Sequence, residues 1–232
     1  MNHRSGLQAP LSSLLGSLPL FQGLTRESAE RLAQRARERR LERNEILFQK
    51  GDASHSLFAV IYGQIKLALP AINGNEKVVE LAGPRQCFGE SALLSDNPSP
   101  VLAQAVADTL LLQIPKEIIH DLLDSEPVFA RRMLTCLAQR TQLLIQDVET
   151  YTQQSGAQRV ISFLQQHCLN DADCNGRIAI TLPAPKQVIA SRLNLTPETL
   201  SRILHELTAA KLIAVQGKTI TINCLRRLQE YN

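Results

Sequence analysis

The 232-residue chain lacks any apolar run that could cross a membrane: its longest stretches, such as Leu57-Phe58-Ala59-Val60-Ile61 and Leu110-Leu111-Leu112, fall far short of the roughly 18–20 residues a span requires. A secretory leader is excluded as well, because serines, Gly16 and Pro19 interrupt the Leu11–Phe21 region and no small-residue cleavage site follows. Paired cysteines are also missing. The five, at 87, 136, 168, 174 and 224, are odd in number and dispersed, which argues against a disulfide framework and fits a reducing, cytoplasmic setting. No His-x-His occurs among the five scattered histidines, so a cupin-type metal enzyme lacks its ligand set and the chain reads as a non-enzyme. Net charge is only +3, too little by itself to indicate nucleic acid.

The charge that is present is unevenly placed. Residues 155–232 carry nine Lys/Arg against five Asp/Glu, residues 1–43 carry eight against four, and the stretch between carries eight against thirteen. A basic C-terminal piece on an acidic middle suggests separate tasks. An arginine-dense segment over 25–43 opens with Thr25-Arg26-Glu27-Ser28, a helix start, and reads as a solvated helix. From Glu45 to Ile114, short apolar runs alternate with turn signals at Gly51-Asp52, Gly63, Asn73-Gly74, Gly83-Pro84, Gly89 and Asn97-Pro98, the pattern of a β-roll or sandwich. Val128–Tyr151 then runs without Gly or Pro, with Met133, Leu137, Leu144, Val148 and Tyr151 on one helical face. A helix of that length makes a rod of roughly 37 Å whose stripe is either packed on its own domain or paired with a second copy, and because it links two differently charged pieces, pairing is the expectation. The predicted layout is an α+β chain in three segments, residues 1–126, 127–153 and 154–232, with a polar break at Gln153–Gly156.

The most informative stretch is Lys186–Ile222. Two helical segments, Lys186–Asn194 and Pro197–Lys211, flank Leu195-Thr196, with Ala190 where they approach and Asn194 at the left-handed turn position. Thr196 and Pro197 suit the N-cap and first turn of the second helix. Its outer side offers Glu198, Ser201, Arg202 and His205, a set that matches base edges and phosphates. Leu212–Val215, Gln216-Gly217-Lys218 and Thr219–Ile222 then read as strand, turn and strand, which makes a wing.

Pro185–Leu204 followed by Gly217-Lys218-Thr219-Ile220 resembles the DNA-binding domain of the Crp/Fnr transcription regulators, and Phe88-Gly89-Glu90 and the long helix occur in that family's order. The resemblance implies an N-terminal cyclic-nucleotide-binding-like β-roll, a long dimerisation helix and a C-terminal winged helix-turn-helix, acting as a homodimer on double-stranded DNA and on RNA polymerase. It places Glu198, Ser201 and Arg202 on the bases and Gln187, Thr196, Thr199 and Lys218 on phosphates. Glu-x-x-Ser-Arg resembles the Fnr branch, which implies a palindrome with TTGAT-like half-sites.

For the sensor, the resemblance offers three ligands. Cyclic-nucleotide members follow Phe-Gly-Glu with an Arg-Ser clamp, whereas this chain reads Asn97-Pro98-Ser99-Pro100-Val101 and has no arginine between Arg85 and Arg131; that argues against a cyclic nucleotide and leaves Glu90 a structural role. The first cysteine, Cys87, comes too late for the N-terminal cysteine group of an iron–sulfur sensor. What remains resembles the Dnr-type regulators of denitrification, which implies haem and a response to nitric oxide or low oxygen; His3, His55, His120 and His167 could each supply the axial ligand, no spacing selects one, and His55 and His120 are taken as the candidates. A regulator without a small ligand, or under thiol control, stands as the alternative.

Overall fold

In the computed structural model, residues 11–70, 76–168 and 178–231 are described; His3, Cys174 and the loop expected at Asn170–Gly176 lie outside them. The chain divides into two compact units, one of residues 1–70 and 80–140, the other of residues 71–79 and 141–232.

The N-terminal unit begins with α1 (Leu11–Ser17), a 3-10 turn (Pro19–Phe21) and α2 (Arg26–Arg35), whose N-cap Thr25 accepts from the Ser28 amide at 3.3 Å. The arginine-rich segment read as one helix over 25–43 then changes course. Helix α2 ends at Arg35, and Arg37–Leu41 is a strand, β1. Only Leu41 of β1 is buried, so no alternation marks it in the sequence; it is held by antiparallel pairing from Arg37↔Gln113 to Leu41↔Thr109. Strands β2 (Ile46–Phe48), β3 (Ser56–Tyr62), β4 (Ile65–Pro70), β5 (Glu76–Ala82) and β6 (Cys87–Phe88), helix α3 (Glu90–Ser95), strands β7 (Leu102–Ala105) and β8 (Thr109–Pro115), and helix α4 (Lys116–Ser125) follow.

Eight strands form two four-stranded sheets, ordered β1-β8-β3-β6 and β2-β7-β4-β5. Successive β3 side chains face opposite sides, yet Ser56–Val60 is buried throughout because both faces are covered. Leu57 and Ala59 join Leu32 of α2 and Ile119 and Leu122 of α4 in the main apolar cluster. Phe58 points the other way and stacks on Phe88 at 5.4 Å between ring centroids. Gly63 turns β3 into β4 at φ +84°, where a Cβ would lie 2.4 Å from the Asp108 carbonyl oxygen, so no other residue fits.

Helix α5 (Pro127–Gln153) runs through both units, as the break-free sequence required. Its first half supplies Phe129 and Met133 to the cluster of the N-terminal unit. The C-terminal unit continues with α6 (Gly156–Cys168), β9 (Ile178–Thr181), α7 (Lys186–Arg192), α8 (Pro197–Ala209), β10 (Ile213–Gln216), β11 (Thr219–Ile222) and α9 (Leu225–Gln229). At the polar break, Ser155 and Gln158 cap α6 reciprocally: the Ser155 amide donates to Gln158 Oε1 at 2.8 Å and the Gln158 amide to Ser155 Oγ at 3.2 Å. The strands form a sheet ordered β10-β11-β9, with Gly217-Lys218 as the two-residue turn between β10 and β11.

Candidate nucleic-acid interface and sensor residues

Helices α7 and α8 meet as the sequence requires. Asn194 takes the left-handed conformation, φ 56°, and the Leu195 amide donates to the Ala190 carbonyl at 2.9 Å, which closes the turn over a fully buried Ala190. Thr196 is the N-cap of α8: its hydroxyl accepts from the Thr199 amide at 3.2 Å, and Pro197 occupies the first turn. Leu200, Ile203, Leu204 and Leu207 are buried, which fixes the rotation of α8 and turns Glu198, Ser201, Arg202 and His205 outward. Thr196, Gln187 and Lys218 are exposed too, and Thr199 is half-buried with its hydroxyl 3.1 Å from that of Thr196. The structure therefore displays the three base-reading candidates on one helix.

The outer side of α8 is not simply cationic. Arg202 Nη1 contacts Glu206 Oε1 at 2.8 Å, one turn on, with side chains 65% and 46% exposed. Glu198 bonds instead to its own amide and to Thr196, which hold its carboxyl below the usual carboxylate range and charged. Glu206 is a residue that sequence reasoning passed over, although its position four after an arginine was the available signal.

The five residues expected at a dimer seam do not share one fate. Met133 is 2% exposed and belongs to the chain's own core rather than to a second copy, while Leu137 is half-buried against the same cluster. The correction has a geometrical cause: where α5 lies along its own unit, its apolar stripe faces inward. Leu144 and Val148 are exposed, joined by Leu134, Leu143 and Ile145, all between 57% and 66% exposed. Tyr151 is half-buried, and its hydroxyl donates to the Arg192 carbonyl at 2.7 Å. Beside it in the C-terminal unit, Lys77 Nζ donates to the Ser191 and Arg192 carbonyls at 2.8 and 3.0 Å and sits 4.2 Å from the Tyr151 ring centroid.

In the N-terminal unit Glu90 is buried, and Arg140 of α5 forms an ion pair with its Oε1. Arg140 Nη2 also reaches Glu80 Oε1 at 3.0 Å and the Cys87 carbonyl at 2.6 Å, while Glu90 Oε2 is buried without a partner. Arg140 is the second residue missed, because its partners lie 50 to 60 positions away in the chain. Of the two histidine candidates, His55 is exposed, whereas His120 on α4 has a buried Nε2 with no hydrogen-bond partner. Burial pushes the Cys87 thiol up to about 12 and raises that of Cys136. A thiol so disfavoured as thiolate is a poor redox nucleophile. Among the described residues no group of three or more His, Cys, Asp or Glu is placed to hold a metal ion.

Comparison with known proteins adds two family matches. Residues 38–126 match the cyclic nucleotide-binding domain and residues 158–231 the Crp-like helix-turn-helix domain. The chain is 31% identical over 185 residues to the global nitrogen regulator of a Nostoc species, covering 78% of this chain and 83% of that one. It is 27% identical to the anaerobic regulatory protein of Haemophilus influenzae over 84% of this chain and 76% of that one. Among solved structures, a CooA variant from Carboxydothermus hydrogenoformans superposes with a TM-score of 0.77 at 20% identity, covering 96% of this chain and 95% of that one, a likeness of fold.

Proposed function

Because the chain belongs to the Crp/Fnr family of DNA-binding transcription regulators, we propose that it acts as a homodimer on a palindromic site with TTGAT-like half-sites. The observation that carries the reading is the joint outward display of Glu198, Ser201 and Arg202 on α8. Arg202 contacts guanine, Glu198 accepts from cytosine N4, and Ser201 is small enough to approach a thymine methyl. Gln187, Thr196, Thr199 and Lys218 hold phosphates and set register. The exposed apolar residues of α5 from Leu134 to Val148 support pairing along that helix, which would place two copies of α8 about 34 Å apart, one turn of DNA. At a promoter, RNA polymerase is the further partner of such a dimer. Selection from a randomised duplex pool tests the reading: TTGAT-like inverted repeats are expected, and an unrelated or non-palindromic consensus overturns it.

For the sensor, we propose haem and a response to nitric oxide or low oxygen. The reading is supported by His120, whose buried, unpartnered Nε2 is the kind of donor an axial site needs; the exposed His55 has no such feature. The iron would supply the gas-binding position, and α4 holds the imidazole next to the buried Ile119. A cyclic nucleotide is disfavoured because no arginine lies between Arg85 and Arg131 to clamp its phosphate. Titration of the purified chain with haem is expected to give a Soret band saturating at one per subunit and lost in His120→Ala. A band that persists in that variant overturns His120 as ligand, and no stoichiometric band leaves regulation without a small ligand in its place.

A further inference from the structure

The DNA-facing helix presents a charge problem. Pro197–Ala209 holds two carboxylates, Glu198 and Glu206, against one cation, Arg202, so the element that enters the groove of a polyanion is itself net negative. The three lie four residues apart on one face, yet Arg202 pairs with the C-terminal carboxylate, at 2.8 Å, because Glu198 is turned back to its own amide and Thr196 at the helix start. One guanidinium nitrogen is thus spent on Glu206, while the rest of the fork stays exposed.

We propose that Glu206 is a specificity-determining positioning residue: it holds the Arg202 guanidinium for base reading and cancels the attraction that Arg202 would otherwise have for any phosphate. This rests on the reading of Arg202 as a base-contacting residue. The physical consequence is a division of labour. A bare arginine gains affinity on every sequence through counterion release, whereas an arginine already paired gains little from a phosphate and keeps its donors for a guanine edge. Glu206 also repels phosphates when Arg202 is not seated on its base, so misaligned DNA is penalised. Sequence-independent attraction is left to cations outside α8, with Lys186, Lys211, Lys218 and Arg227 all exposed in the same unit.

The test uses the full chain and two duplexes, the palindrome recovered by selection and a scrambled one, titrated by fluorescence anisotropy over a salt series. Glu206→Gln is expected to tighten the scrambled duplex about threefold or more and to steepen its salt dependence by about one phosphate contact, while the selected duplex tightens less, so that the specificity ratio falls. Glu206→Asp, which keeps the carboxylate, is expected to recover most of the ratio. In the Arg202→Ala background, removal of Glu206 should shift both duplexes by the same factor, since there is no guanidinium left to position. The inference is overturned if Glu206→Gln moves both duplexes equally in the presence of Arg202, which would make Glu206 an ordinary surface charge. If Arg202→Ala itself leaves the ratio unchanged, the base-reading assignment fails first and the inference falls with it.

Discussion

Arg140–Glu90 and Arg202–Glu206 are the same ion pair in opposite surroundings. The first lies among β3, β6 and α5 of the N-terminal unit, with Glu90 almost wholly buried and Glu80 and the Cys87 carbonyl as further partners of the same guanidinium. The second stands on the open side of α8 with both side chains in water. Low dielectric makes the buried pair indispensable once formed, because each charge has given up its hydration. Water makes the exposed pair nearly neutral for stability, which frees it to act when a second polyelectrolyte arrives. Burial therefore decides whether one chemistry holds a fold or reads a ligand.

The comparison breaks most visibly at Arg140. Arg140→Met leaves Glu90 buried beside Glu80 with no cation, and a lost partner in a buried pair costs about 3–5 kcal/mol. At about 2–4 °C per kcal/mol for a chain of this size, the thermal midpoint should fall by roughly 10 °C. Glu90→Gln combined with Arg140→Met removes the stranded charge and should recover most of that loss in the same melt. A single-variant loss under about 1 kcal/mol would place this pair with the solvated one.

Arg202→Ala is the mirror experiment. It should leave the melting temperature within error yet cost about 1–3 kcal/mol on the selected duplex, with relaxed preference at one base pair, read by anisotropy on single-substitution duplexes. Thr196→Ala lies between the two. It removes the cap of α8, so about 1 kcal/mol of stability should be lost in denaturant titration, along with a smaller drop in DNA affinity on all sequences.

What could be read beforehand follows the same line. Asn194, Thr196 and the outward set on α8 were legible because turn, cap and face are local rules over three or four residues. The Glu90 to Arg140 pair was not, since nothing near either residue announces a partner 50 positions away. Strand β1 was hidden for a related reason: its hydrogen bonds to β8 hold an edge whose arginines face water, so no hydrophobic period records it. On α5 the apolar period was legible, but which of its residues the chain itself covers was not. A heptad-like stripe gives the same signal whether a second copy or the chain's own core covers it; Met133 is covered by the latter, while Leu144 and Val148 stay exposed.

The last expected effect is a pH dependence at Lys77, which is half-buried and so sits between the two extremes. Burial first, and then the positive charge of Arg192, push its ammonium from the ordinary 10.5 down to about 8, with Asp147 acting in the opposite direction and Arg159 adding to the fall. Below pH 8 both folded and unfolded chains hold the proton, so the penalty for burying the charge is fully present. Between pH 8 and 10.5 the unfolded chain binds a proton that the folded chain has released, and stability contributed by this group rises with pH. The neutral amine keeps two N–H donors, enough for the Ser191 and Arg192 carbonyls, so the contact survives deprotonation. Tyr151 limits the window from above. Burial raises its phenol above the ordinary 10, so it stays protonated in the folded chain while the unfolded chain ionises, and its contribution falls with pH there. Denaturant unfolding of the wild type and Lys77→Met at intervals from pH 7.5 to 9.5 isolates the term. The wild type should gain stability relative to the variant across that range, and a difference independent of pH would mean that Lys77 is as well solvated as Arg202.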